Sequence, residues 1–384
     1  MTTACLAPNG MGLYRGDAAS TRLLVGTAKG VALLERAPGQ AWKHTGTVLE
    51  GNHISSMVLE PVKGGLFAGV HRGGVFYSPD LGRSWEARSN GITINHVYSL
   101  AYAVENGQPY IYAGTEPPCV FRTRDEGKSW DERPGWPNMP GKDKWVFPMP
   151  PHVPHAKTMA VDPRDPKVIY VGVEQAGLFK TTDGGDTWRE LDSYSKPDDE
   201  SYRDVHQITL RPNHPDELYM TTGMGLYRSK NGGADWDHLT LRNSFRIGYP
   251  DRLIFSTHDD RTMFICGSQS NPGTWIGSHT ANAAIMVSRD LGESWSLATT
   301  GLPEPMTANI EAVTAYSWPN GFELFGGTTD GKVYFSDDNA AHWQPIAGDL
   351  APVSKVEHYR LLLPGAVSSR GNRPPGAGAS HAGH

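Results

Sequence analysis

The sequence predicts an all-β fold of seven repeated units, and three observations carry that prediction. Seven tryptophans close a shared motif, Ser/Thr-x-Asp-x-Gly-x-Ser/Thr-Trp, at a period of 43 to 59 residues. Each full copy follows a β-type run such as Gly74–Tyr77, and a second apolar run such as Leu66–Val70 precedes that one. Periods of this length mean propeller blades or solenoid units. The motif is cleanest at Ser78–Trp85, Thr123–Trp130, Thr181–Trp188 and Ser288–Trp295. Asn231 replaces the aspartate before Trp236, Ala340 replaces the glycine before Trp343, and the copy at Trp42 keeps only Gly39. Each copy is expected to form a tight hairpin turn: the Asp accepts backbone N–H bonds, the Gly supplies a positive φ, and the Trp packs between neighbouring units.

These motifs resemble the Asp-box (BNR) repeat of sialidase-like β-propellers, and the resemblance covers about residues 21 to 363. It implies a seven-bladed β-propeller of four-stranded blades, with the motif joining the third strand of each blade to the fourth. It says little about activity, because one fold hosts many functions. The first motif follows only two strands, Leu23–Gly26 and Val31–Leu34, so blade one lacks its inner strand. One apolar run, Tyr359–Leu363, is left over after the last motif. The C-terminal strand is therefore expected to close the first blade, which removes exposed sheet edges. The chain then divides into a lead-in (residues 1–20), the propeller (21–364) and a Gly/Pro/Ala/Ser-rich tail (365–384) expected to be disordered.

A net charge of −6 with no Lys/Arg cluster gives no reason to expect nucleic acid or an anionic membrane as partner. No apolar stretch is long enough to span a bilayer, and the start, Met1–Pro8, lacks the pattern of a signal peptide. Cys5, Cys119 and Cys266 are odd in number and far apart, which reads as free thiols in a reducing cytoplasm. Oligomeric state is left open.

Departures from the repeat gather on one face. The step from Trp42 to His53 and from Trp85 to His96 is 11 residues, but from Trp130 to His155 it is 25. Further inserts run from Asp192 to Arg203, Leu241 to Tyr249 and Ser268 to Ala284. All are expected opposite the motif turns, where they could wall a binding site for a small-molecule substrate.

Aligning the inner strands gives one column of histidines: His53, His96, His155, His206 and, by ring closure, His358, with Arg252 and Glu311 in blades six and seven. Shifting blade five by two residues would put Asp204 in the column and His206 one pair deeper. Imidazoles crowded on an axis repel if charged, and a metal ion removes that problem by using them neutral. All-nitrogen ligation suits iron or copper first and zinc as the alternative, and disfavours calcium and magnesium. Glu311 would orient a ligand imidazole. Glu116 and Glu174, in equivalent places on adjacent blades, are the candidate acid/base groups, with Arg252 beside them on the axis. Trp145, Phe147 and Trp275 could line an apolar wall.

The function expected on these grounds is metal-dependent oxidation of a small organic substrate by dioxygen. A metal-dependent hydrolase or lyase, a non-catalytic binding or assembly propeller, and a glycosidase remain as alternatives. A sialidase would need an arginine triad, and the Phe-Arg-Ile-Pro-type segment that carries its first arginine is absent.

Overall fold

The computed structural model of the chain describes residues 2–139, 141–148, 152–195, 203–241 and 245–354. Seven sheets follow one another along the chain and form a seven-bladed β-propeller. Blades three to six are plain four-stranded antiparallel sheets in chain order; blade four, for example, runs His155–Val161, Ile169–Glu174, Gly177–Thr181, Arg189–Glu190. Second strands are mostly apolar on both faces because neighbouring blades cover them on both sides, whereas the inner strands are largely buried but carry polar side chains. The fourth strands are short and exposed.

The turns between third and fourth strands have the expected chemistry. At Ser78–Trp85, Asp80 accepts the N–H of Arg83 (3.0 Å), the N–H of Ser84 (2.8 Å) and the Ser84 hydroxyl (2.7 Å), while Ser78 Oγ accepts the N–H of Gly82 (2.7 Å). Gly82 sits at φ 82°, which a side chain resists. Asp183 and Asp290 make the corresponding bonds in their own turns. The tryptophans reach the preceding blade: Trp130 Nε1 donates to Arg88 O (2.8 Å), Trp343 Nε1 to Ala298 O (2.9 Å), and Trp42 packs edge-on to Phe325 of blade seven at 5.7 Å.

Ring closure differs from expectation. The inner strand of blade one comes from the N-terminus: Thr3–Leu6 pairs with Arg22–Thr27 in parallel, Thr3 beside Arg22 and Leu6 beside Val25. Tyr359–Leu363 lies outside the described residues. The segment expected to be a lead-in therefore builds the core. After Leu6 the chain turns inside the axis, pairs Asn9–Gly10 in parallel with blade two, then pairs Leu13–Arg15 in parallel with blade seven. Gly10 passes so close to blade two that a Cβ there would lie 2.3 Å from Met57 O. The physical reason is burial: Ala4, Cys5, Leu6 and Ala7 are all at most 1% exposed, and that short apolar run gains more inside than outside.

A second departure sets up the site. Every inner strand of blades two to seven carries a β-bulge, which inserts one extra residue in the strand and re-aims its side chain. Those residues are Ser55, Tyr98, Lys157, His206, Asp251 and Glu311.

Candidate functional site

Counting from the bulges corrects the histidine column. Two residues before each bulge stand His53, His96, His155, Asp204, Tyr249 and Asn309; His206 and Glu311 belong to the deeper, bulged row. The two-residue shift in blade five is thus the observed register. The column is histidine only in blades two to four, and His358 lies outside the described residues.

Those three histidines do not converge on one point. They form part of a row of rings across three blades: His53 to His71 at 4.4 Å, His71 to His96 at 4.9 Å, His96 to Tyr98 at 5.1 Å, and Tyr98 stacked on His155 at 3.9 Å. Tyr98 separates His96 from His155. Its position on a bulge was not legible in the sequence, where it looked like an ordinary strand residue.

Each histidine has its own partners. His53 Nε2 lies 2.8 Å from the carbonyl of Ser354, whose hydroxyl donates to Glu311 (3.0 Å). Glu311 thus meets the histidine row through Ser354. His96 Nδ1 stands 3.1 Å from Glu116, and His155 Nδ1 3.3 Å from the same carboxylate. His155 Nε2 bonds Glu174, which also holds the buried ammonium of Lys157. Two glutamates therefore flank one imidazole, with the charges compensated in place. Burial opposes ionisation of Glu116, but the two imidazoles prevail and hold it at about 2. Burial likewise opposes ionisation of Glu174, and Lys157 and His155 prevail, keeping it well below the usual range. Burial pushes the His155 imidazole down, and Glu174 and Glu116 together reverse this, raising it above its ordinary value.

Arg252 lies elsewhere. It is buried, and its guanidinium donates to Val313 O (3.1 Å), Pro8 O (2.8 Å) and Gly10 O (2.9 Å). It clamps the N-terminal segment in the axis. The aromatic residues of the inserts are packed: Trp136 meets Trp145, Phe179 and Trp188, Phe147 covers His155 at 5.2 Å, and Trp275 is 2% exposed.

His206 and Asp204 form a separate group with Glu174 and Tyr249. Among the described residues this is the one place where three His, Cys, Asp or Glu side chains bring donor atoms within 4.8 Å of one another: Glu174, Asp204 and His206. Below it, toward the motif turns, the axis opens into a cavity of about 470 Å³ walled by inner strands of blades three to six and by Gly10–Leu13. The cysteines Cys5, Cys119 and Cys266 are free and buried.

No protein-family model matches the chain. The xyloglucanase of Hypocrea jecorina is 24% identical over 341 residues, covering 83% of this chain and 35% of that protein. The oligoxyloglucan-reducing end-specific xyloglucanase of Emericella nidulans is 23% identical over 199 residues, 48% of this chain and 23% of that protein. The chain thus spans about a third or less of the length of these relatives. Among solved structures, an ancestral GH74 enzyme superposes with TM-score 0.58 at 16% identity, covering 85% of this chain and 40% of that one. YCF48 bound to D1 peptide superposes with TM-score 0.51 at 15% identity, covering 78% and 85%. These likenesses of structure support the propeller fold.

The sequence relatives overturn the expected dioxygen-dependent oxidoreductase on iron or copper: the proteins that align along the chain are named for cleaving a polysaccharide. The expected cytoplasmic location is set aside on the same relatives. Buried histidines and free thiols misled because burial alone protects both from their usual chemistry.

Proposed function

We propose that the chain is an Asp-box propeller that acts on a β-glucan-type saccharide, bound over the face that carries the long loops, as a glycoside hydrolase. Glycoside hydrolysis uses paired carboxylates around an oxocarbenium-like transition state. The observation that carries the reading is the Glu116–His155–Glu174 array at the opening of the inner strands, two carboxylates on either side of one imidazole. Similarity to xyloglucanases over 83% of the chain supports the saccharide class. Glu116 is the member nearest solvent, beside the partly exposed His96. As an ionised carboxylate it would stabilise positive charge at the sugar or activate water, with His96 and His155 holding its orientation.

The test is release of reducing ends from xyloglucan, cello-oligosaccharides and mixed-linkage glucan by purified protein. Glu116→Gln should lower kcat/KM about 100-fold while leaving binding within a few-fold, since it removes charge at the reacting centre and little contact area. Absence of both binding and cleavage across the panel would overturn the reading. A second reading, saccharide binding without cleavage, is favoured by one observation: two imidazoles already compensate Glu116. Binding without new reducing ends would select it.

A further inference from the structure

We propose that Glu174, Asp204 and His206 form a binding site for one divalent transition-metal ion of the zinc type, pinning blade four to blade five. It shares Glu174 with the saccharide reading but rests on His206 and Asp204, which that reading does not use.

His206 is the starting point. Its Nδ1 lies 2.7 Å from the carbonyl of Pro250, and a carbonyl only accepts, so Nδ1 carries the proton. In the neutral imidazole Nε2 is then a lone pair. That nitrogen is buried without a hydrogen-bond partner, and it faces Asp204 Oδ1 at 3.4 Å, which is likewise buried without one. Two acceptors aimed at each other away from water are an incomplete arrangement. A cation between them completes it.

The surroundings have the features of a metal site. Asp204 is held by its other oxygen, which accepts the Tyr249 hydroxyl at 3.0 Å. An imidazole anchored through Nδ1 to a carbonyl and a carboxylate anchored by a phenol are the usual outer supports of ligands. Glu174 supplies the third donor within 4.8 Å, and the backbones of Glu174 and Asp204 are bridged. Each Glu174 oxygen bonds one cation, Lys157 or His155, and keeps a second lone pair. Donors around tetrahedral zinc at about 2.0–2.1 Å stand about 3.4 Å apart, the spacing of His206 Nε2 and Asp204 Oδ1. One nitrogen and two oxygens fit zinc better than calcium, which takes six to eight oxygens. His206 also lines the axial cavity.

This assignment differs from a histidine ring. Of the histidines in the sequence column it uses His206 alone, and it draws its carboxylates from a strand end and from the residue two before a bulge.

The test uses the full-length, untagged chain, dialysed against chelator and titrated with zinc chloride by calorimetry, with bound metal counted by elemental analysis. Wild type should take up one equivalent that Asp204→Asn and His206→Gln lose, with affinity falling about 100-fold or more and the far-ultraviolet circular dichroism unchanged. His214→Gln, an exposed histidine, should keep that equivalent. Asp204→Asn is nearly isosteric, so it decides the matter even if His206→Gln fails to fold. Zinc should also shift the His206 Nε2 resonance in 15N NMR. Uptake below about a tenth of an equivalent, an Asp204→Asn variant that binds like wild type, or a proton on His206 Nε2 in zinc-treated protein would overturn the proposal. The last result would show that a proton fills the gap.

Discussion

The two ends of the propeller are built from the same strands and obey different rules. At the turn end, the same hydrogen bonds recur from blade to blade: Asp80, Asp183 and Asp290 each gather bonds from the Ser or Thr four residues on. At the loop end, the equivalent position is His, His, His, Asp, Tyr and Asn in six successive blades. Repetition there serves the scaffold, since every turn solves the same backbone problem. Divergence serves a site, since no two blades face the same neighbour.

The largest expected effect lies where the two ends are joined. Removing residues 2–15 deletes the inner strand of blade one and the filling of the axis, and should prevent folding to a monodisperse protein, as read by size-exclusion chromatography and circular dichroism. Arg252→Ala tests the same join more finely. It strips three buried carbonyls of their donor and should cost about 3–5 kcal/mol in urea unfolding, without selective loss of any saccharide binding. A neutral outcome would mean that the N-terminal segment is not held in the axis.

Next in size is the contact between blades. Trp343 is 3% exposed and bonded to the preceding blade, so Trp343→Ala should destabilise by about 3–5 kcal/mol. Trp85 is less buried and bonds within its own turn, so Trp85→Ala should cost less. Equal costs would contradict the packing role assigned to the deeper rings.

The smallest effect is a dependence on pH. Hydrogen bonds from Ser84, above all from its hydroxyl, hold Asp80 at about 2. A group lowered in the folded state adds stability above the ordinary carboxylate value and loses it as pH falls toward the folded value. The stability difference between wild type and Asp80→Asn should therefore be largest near neutrality and vanish toward pH 2. Asn231 already replaces the carboxylate in blade five, accepting the Asp235 N–H at 2.9 Å. The same substitution cannot be made there, so that turn is the internal reference.

This contrast explains what the sequence could tell. Six recognisable motifs were enough for the fold, because a tight turn needs the same few residues wherever it occurs. The first fifteen residues were misread because Thr3–Leu6 is a short apolar run without a partner in register, and parallel pairing leaves no hairpin signal. The site was legible in part. His155, Glu116 and Glu174 were singled out and lie together, but Tyr98 and Lys157 were missed. A bulge adds one residue to a strand and shifts its side chains relative to simple alternation, and nothing in Val97-Tyr98-Ser99 announces one. Arg252 shows the converse: it stands near the axis by alignment, yet its charge faces backbone carbonyls.

Hydrogen–deuterium exchange of the full chain, with and without a xyloglucan oligosaccharide, tests most directly whether divergence marks the working end. Exchange should slow in the loop-end turns at residues 71–75, 115–118 and 174–177 and stay unchanged in the motif turns at 80–84 and 183–187. Protection confined to the motif turns, or none at a saccharide concentration that saturates the xyloglucanase relatives, would contradict it.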